Sequence, residues 1–406
     1  MIVPRVAGGG GGVYPDADEC GNGGSSETLR ARRINPGCEQ RCEPLAGEPG
    51  YGLEKEMGLK IAIVGAGAVG AQVGAFMVKN GEDVVFIDGW PEHVEKMRAD
   101  GLHLTGVTEA EEFTVPVNAI HFSDVQALSK DRPIDIAFVC MKSYETEMAT
   151  YLIKPYLAPD GFVVSLQNCM NEEFIAGIVG WGKVVGCIAA KISVELRGPA
   201  HVNRNVPVHG NSHTVFRAGE VHSVETERTR EVARLCGYTD SYMVTTNLWG
   251  ERWSKLCLNG SSNGVSASTG LGGAAIAADP HLRGVKMKLI SECIRVGRAS
   301  GFGLEKLGGL EADVYVAAAE GDGEARKIVE DNYITTAGKG NPNARPSMGQ
   351  DMMKGRRTEI DFMNGLVVQK GKEVGIATPA NEALIAAVKK VERGEFEASP
   401  DLLAGI

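Results

Sequence analysis

The 406-residue chain has no apolar run long enough to cross a bilayer, and its first residues lack the apolar segment of a secretory signal. Neither a membrane span nor a leader is expected. Positive charge is also short: 42 Lys and Arg stand against 52 Asp and Glu, a formal net charge of -10, with no polybasic block. That balance argues against nucleic acid or an anionic membrane surface as the main partner. The nine cysteines are scattered, and Cys38 and Cys42 have no second pair at zinc-ligand spacing, so no metal site is expected. Cys140 and Cys257 lie inside apolar runs as small hydrophobes, which suits a reducing compartment, and a cytoplasmic location is expected.

The first stretch lacks apolar periodicity. Residues 1 to 58 contain the glycine run Gly8 to Gly12 and much Pro, Ser and Glu. Such a segment buries too little surface to offset its ordering entropy, so a disordered extension is expected and the fold begins near Met57. The remainder has ordinary globular composition, 43% hydrophobic and 23% charged, and room for two domains.

What is present is concentrated in Lys60-Ile-Ala-Ile-Val-Gly65-Ala-Gly67-Ala-Val-Gly70. A β-branched run ends in Gly-x-Gly-x-x-Gly and passes into the helical pattern Ala71 to Lys79. Unpaired N–H groups at the start of such a helix suit a pyrophosphate. Gly65 permits the tight turn, Gly67 admits the diphosphate, and Gly70 lets helix and strand pack closely. Gly65, Ala66, Gly67, Ala68, Val69 and Gly70 are therefore candidate cofactor contacts. The second strand, Asp83 to Asp88, ends in an acid that can accept from ribose hydroxyls and repel a 2′-phosphate. No Arg or Lys follows until Lys96, so NAD(H) is favoured over NADP(H). The alternative for Asp88 is capping a helix that starts near Pro91.

Strands and helices alternate from residue 59 to 246, with strands near 102–105, 113–117, 135–140, 161–166, 183–188 and 242–245, and irregular β structure up to Phe216. This predicts an N-terminal Rossmann-type doubly wound sheet, with ligands outside the C-terminal strand ends, where Lys142 and Asn168 fall. From residue 247 to 406 the apolar spacing is helical over 248–268, 281–300, 311–332, 347–374 and 380–393, which predicts an all-helical C-terminal domain and an interdomain ligand cleft. Lys255, Asn259 and Asn263 stand at i, i+4 and i+8, one face of the first of these helices. They either face a polar cavity or form a solvated stripe.

Together with the glycine turn, the segments Cys140-Met-Lys142-Ser, Leu166-Gln-Asn168, Trp253-Ser-Lys255-Leu-Cys-Leu-Asn259, Pro346-Ser347-Met-Gly-Gln350-Asp351 and Thr358-Glu359-Ile-Asp361-Phe-Met-Asn364-Gly365 resemble the ketopantoate reductases (2-dehydropantoate 2-reductases) in order, over about residues 59 to 393. The resemblance implies hydride transfer from a nicotinamide to the C2 ketone of ketopantoate or a similar 2-keto acid, with Lys255 as general acid. It implies that Asn259 and Asn263 orient the substrate, that Ser347 contacts its carboxylate, and that Glu359 binds its hydroxyl and helps place Lys255. It puts Lys142 and Asn168 on the nicotinamide side. Ser347 has the alternative of a helix cap, and Glu359 that of an exposed ion pair with Arg356 or Arg357. The chain departs from the family in three places. Asp88-Gly89 replaces the basic residue usual in NADPH-binding members, Ala344 stands where Asn is frequent, and the stretch Phe302 to Asn343 is long. A small keto or hydroxy acid is the expected partner, and a homodimer through the helical domain is compatible with this reading. The other readings are an NAD-dependent catabolic dehydrogenase of another hydroxy acid and a nucleotide-sensing regulator; intact Lys255, Asn259 and Glu359 speak against the sensor.

Overall fold

A strand that is apolar on both faces needs cover on both, and this is what the glycine motif obtains in the computed structural model, which describes residues 58–208, 214–338 and 345–406. The expected disordered extension and Ala344 lie outside the described residues. Strand β1 (Lys60–Val64) turns into α1 (Ala68–Lys79), and β2 (Asp83–Asp88) and α2 (Pro91–Asp100) complete the first unit. There follow β3 (Leu102–Thr105), β4 (Phe113–Val115), β5 (Asn118–His121), β6 (Ile134–Val139), α3 (Thr146–Ile153), β7 (Leu157–Ser165), α4 (Glu172–Val179) and β8 (Val184–Ala189). The α/β part ends with β9 (Val194–Gly198), β10 (His201–Arg204), β11 (Phe216–Glu220), α5 (Glu227–Gly237) and β12 (Tyr242–Val244).

The main sheet runs β12-β11-β8-β7-β6-β1-β2-β5 and is parallel except where β11 meets β8. Ile61 pairs with Val84 of β2 on one side and with Ile136 of β6 on the other, so the strand order reverses at β1. The crevice at such a reversal lies beyond the C-terminal ends Val64 and Val139. The segments expected as strands near 102–105 and 113–117 do not join this sheet. They form a second one, β4-β3-β10-β9, packed on the far side of α1, where Phe76 meets Phe113 edge-on at 5.1 Å. Helix α1 is thus enclosed, with Gly70 to Ala75 and Met77 buried. Strand β5 and helix α4 are further elements the pattern alone did not separate: Pro116 cuts β4 from β5, and α4 is only eight residues long.

Helices follow: α6 (Leu248–Gly260), α7 (Asn263–Thr269), α8 (Gly273–Ala278), α9 (Pro280–Ala299), α10 (Ala312–Ala319), α11 (Gly323–Gly338), α12 (Ser347–Met353), α13 (Ile360–Val374) and α14 (Pro379–Glu392). Three expected long helices are each broken in two. The first breaks at Ser261 and Ser262, where the Ser261 hydroxyl donates to Leu258 O at 3.0 Å and competes with the helical backbone bonds. The 311–332 pattern breaks where Gly321 takes φ +102°, and the 347–374 pattern breaks over residues 354–359. Trp253 fixes the face of α6. Fully buried, it donates to Cys293 O at 2.9 Å and stacks on Phe302.

The glycines divide by what a methyl would meet. Gly65 has φ +98°, which L-residues other than glycine rarely adopt. At Gly70 a Cβ would lie 2.1 Å from Gly65 O and 2.9 Å from Cys140 Cβ, whereas at Gly67 nothing lies within 4 Å. Gly70→Ala is expected to lose about 1–3 kcal/mol by overpacking, and Gly67→Ala to stay within about 1 kcal/mol of the parent. Thermal melts of both variants check this; equal losses would mean the helix–strand approach is not the constraint.

Candidate active site

At the crevice, the turn and the acid face each other directly. Asp88 Oδ2 accepts from Ala66 N at 2.8 Å and Oδ1 from Trp90 N at 2.9 Å. The cap of α2 is Trp90, so Asp88 is not a helix cap but a carboxylate fastened beside the glycine turn. Gly67 begins α1 without any side-chain cap, leaving its first-turn N–H groups to a ligand, and the free space over Gly67 gives an anion access. Residues 65–70 and Asp88 therefore fit the diphosphate and adenosine ribose of a dinucleotide. His93, which the sequence did not mark, staples this turn from below. It is buried, its Nδ1 accepts from Ala200 N at 2.8 Å, and Nε2, which must then carry the proton, donates to Ala66 O at 2.8 Å.

The loop leaving β6 is adjacent, since Met141 Sδ lies against Gly65. Lys142 Nζ bonds Asp351 Oδ2 at 2.5 Å and lies 3.5 Å from Glu359 Oε2. Glu359 Oε1 accepts from Ser143 N at 2.9 Å and Ser143 Oγ at 2.8 Å. Glu359 is 3% exposed, which removes the exposed pair with Arg356 or Arg357. Burial pulls the Lys142 ammonium down, but Glu359 and Asp351 outweigh it and leave its pKa above the ordinary lysine value. Burial raises the Asp351 carboxyl, and Lys142 offsets this only in part. Lys142 is thus committed to two carboxylates, and Asp351 joins the site.

The third wall is α6 and α7. Lys255 Nζ donates to Ala189 O, the end of β8, at 2.6 Å. Burial, and then the neighbouring Arg252 cation, bring its pKa down to about 8. Arg252 itself is 1% exposed and donates to Glu172 Oε1 at 2.8 Å, Gln167 O at 2.6 Å and Ser165 O at 2.7 Å. Neither Arg252 nor Glu172 was singled out from sequence. The break before α7 separates the three polar residues. Asn263 is buried, donates to Asn259 O at 3.1 Å, and accepts from Ser347 Oγ at 3.1 Å and Met348 N at 3.3 Å. Its carboxamide thus holds the start of α12. Ser347 is the first residue of that helix and Pro346 its cap, so Ser347 is not the cap. Asn259 and Asn168 are half-buried, and their carboxamides make no hydrogen bond among the described residues. Asn168 O is held by Asn171 Nδ2, which also donates to Ser143 Oγ. Contacts therefore run unbroken from Asp88 through the glycine turn, Lys142, Glu359 and Ser143 to Asn168, while Ser347 and Asp351 share α12.

Among the described residues no cluster of three His, Cys, Asp or Glu is placed to hold a metal ion, and no helix is long and apolar enough to cross a membrane. The family model described as ketopantoate reductase PanE/ApbA matches residues 61–216, and its C-terminal counterpart matches 247–392. The chain belongs to the ketopantoate reductase family. The 2-dehydropantoate 2-reductase of Archaeoglobus fulgidus is 30% identical over 336 residues, 82% of this chain and 98% of that protein. That of Pyrococcus horikoshii is 28% identical, with 82% and 98% covered. The crystal structure of a PanE/ApbA family ketopantoate reductase from Ralstonia eutropha JMP134 superposes with a TM-score of 0.67 at 28% identity, over 83% of this chain and 99% of that one. A D-mandelate dehydrogenase with NADH and anilino(oxo)acetate superposes at 0.68 and 22% identity, a likeness of fold. The enzyme is an NAD(P)-dependent oxidoreductase acting on a CH–OH group.

Lys142→Met would leave Asp351 and Glu359 facing each other without their cation. The Asp351 carboxyl pKa, already raised by burial, then rises further in the folded state, so the destabilisation exists above that pKa and fades as pH falls through it. A loss of about 1–3 kcal/mol at pH 8 that shrinks by pH 5 is expected in thermal melts. Equal losses at both pH values would show that the triad is not electrostatically coupled.

Proposed function

We propose that the enzyme reduces the C2 ketone of ketopantoate, or of a closely similar 2-keto acid, with NADH, giving (R)-pantoate or the matching hydroxy acid. Residues 59–246 hold the dinucleotide in this reading and 247–406 supply most of the substrate contacts. The observation that carries it is Lys255, a half-buried ammonium at the edge of the sheet whose hydrogen-bond acceptor among the described residues is a single carbonyl oxygen and whose pKa is about 8.

A bound nicotinamide supplies the hydride. Lys255 polarises the ketone oxygen and delivers a proton from Nζ to the alkoxide oxygen, leaving the neutral amine and the alcohol. A donor with a pKa near the working pH is present in its acid form and releases the proton readily. Asn259, with a free carboxamide, orients the carbonyl side of the substrate. Glu359 accepts from the substrate's hydroxyl through Oε2, since Oε1 is taken by Ser143. Ser347 turns its proton from Asn263 toward the substrate carboxylate on binding, and Asn263 serves mainly to aim it. Lys142 keeps Glu359 and Asp351 compensated, and Asn168 borders the nicotinamide.

The case for NADH rests on Asp88, fixed by two N–H donors beside the glycine turn with no Lys or Arg in the next seven positions. The same feature favours a second reading, an NAD-dependent dehydrogenase working on another hydroxy acid; the D-mandelate dehydrogenase of like fold was solved with NADH.

In the reducing direction, Lys255→Ala should cut kcat by ~10²–10⁴ with NADH binding unchanged, and Lys255→Arg should not rescue it. Because the acid form is required, kcat/KM for the keto acid should be flat below pH about 8 and fall above it, and the reverse oxidation should rise through the same value. Near-normal turnover of both variants would reduce Lys255 to a structural residue. Steady-state kinetics should also give a higher kcat/KM with NADH than with NADPH, and Asp88→Ala should narrow the gap by roughly tenfold to a hundredfold. Better use of NADPH by the unmodified enzyme would overturn the cofactor assignment.

A further inference from the structure

We propose that Arg252 and Glu172 form a positioning pair, which aims Lys255 into the cleft and fixes its distance from the loop that carries Asn168. The inference rests on Lys255 acting as the proton donor. Arg252 precedes Lys255 by three residues, so the two side chains rise from neighbouring points on one face of α6. The guanidinium spends its donors on the β7 end and the start of α4: Nη2 on Ser165 O, Nη1 on Gln167 O and Nε on Glu172. Asn168 is the next residue after Gln167. One planar fork therefore ties the proton-donating helix to the loop bordering the nicotinamide, and a shift of either end moves both.

The choice of chemistry is informative. Arg252 and Glu172 side chains are 1% and 0% exposed. An apolar pair of similar volume would dock α6 at least as firmly, because burying two charges costs much of what their attraction returns. A charged pair here places a full positive charge one helical turn from Lys255 and a full negative charge behind it. The other charged or titratable groups facing Lys255 are Cys169 on the loop after β7, Cys187 on β8 and Glu359 at the start of α13. Burial loosens the hold of Lys255 on its proton and the Arg252 cation loosens it further, while the fork holds the geometry.

Three variants separate the two roles by melting temperature, kcat, KM for NADH and the pH dependence of kcat/KM. Arg252→Lys keeps the charge and loses the fork; kcat should fall ~10-fold to 100-fold while KM for NADH stays within about twofold and the alkaline break remains near 8. Glu172→Gln keeps the shape and leaves the guanidinium uncompensated, so the break should move below 8. Arg252→Met removes the cation, and the break should move above 8. Opposite movements of the break in the last two variants are the expected result, and Glu172→Gln alone decides the sign if Arg252→Met does not fold. Variants that lose melting temperature but keep the parent's kcat and break would make the pair a structural tie and nothing more. A parent profile with no break that Lys255→Ala abolishes would sink the proton-donor assignment and the pair's role with it; a parent break that no variant moves would sink the pair's role alone.

Discussion

Parallel strands enter from one edge of a sheet and leave at the other, and β1, β6, β7 and β8 all leave at the edge where Gly65, Lys142, Asn168 and Ala189 stand. That single topological fact brings together residues more than a hundred positions apart. It also makes the edge a row of strand ends, whose last carbonyls cannot all be satisfied within the sheet. Helix α6 answers this need. Arg252 takes the carbonyls of Ser165 and Gln167, and Lys255 takes that of Ala189. The lysine is in the cleft because the sheet edge needs donors there.

The docking of α6 is polar at both ends of the contact. Beside Arg252, Glu251 accepts from Arg217 at 3.0 Å and from Thr245 at 2.5 Å, fastening the start of the helix to β11 and the segment after β12. On the opposite face Trp253 sinks into the helical core. Polar groups toward the sheet and an aromatic anchor toward the helices define the rotation of α6 about its axis. A helix docked by apolar contacts alone could turn by a fraction of a residue at small cost; one held by a guanidinium fork and two ion pairs cannot. Catalysis by a positioned proton donor requires that kind of fixity.

Much of this was readable in the chain. Period-two and period-3.6 patterning located most strands and helices, and the glycine spacing with Asp88 marked two segments that meet where the strand order reverses. The unread parts share one cause. Glu359 and Ser143 are 216 residues apart, and nothing local in either says that one will bond the other. Arg252 sits in a helical pattern where an arginine normally faces water, and only its 1% exposure identifies it. The helix breaks escaped notice because apolar spacing continues through them: Ser261 interrupts α6 by a hydroxyl bond to Leu258 O, which leaves the hydrophobic period intact. The break changes chemistry as well as geometry. It turns Asn263 away from the row with Lys255 and Asn259 and into the service of Ser347.

The charges of the cleft also explain why two lysines there behave oppositely. Burial lowers the proton affinity of both; at Lys142 two carboxylates outweigh it, whereas at Lys255 the Arg252 cation adds to it. Lys142 pairs with Asp351 and Glu359, and Arg252 with Glu172, so each of these three buried carboxylates has a cation beside it. In the proposed reaction a keto acid brings a further carboxylate to this cleft. Its negative charge raises the Lys255 affinity, so on the proposed reading the lysine meets the ketone in its acid form and gives up the proton to the more basic alkoxide that hydride transfer creates. Arginine could supply the same positive charge but would hold its proton throughout. In the proposed reaction it is the lysine bonded to a carbonyl, and not the one held by two carboxylates, that serves as an acid in one direction and, once neutral, as a base in the other.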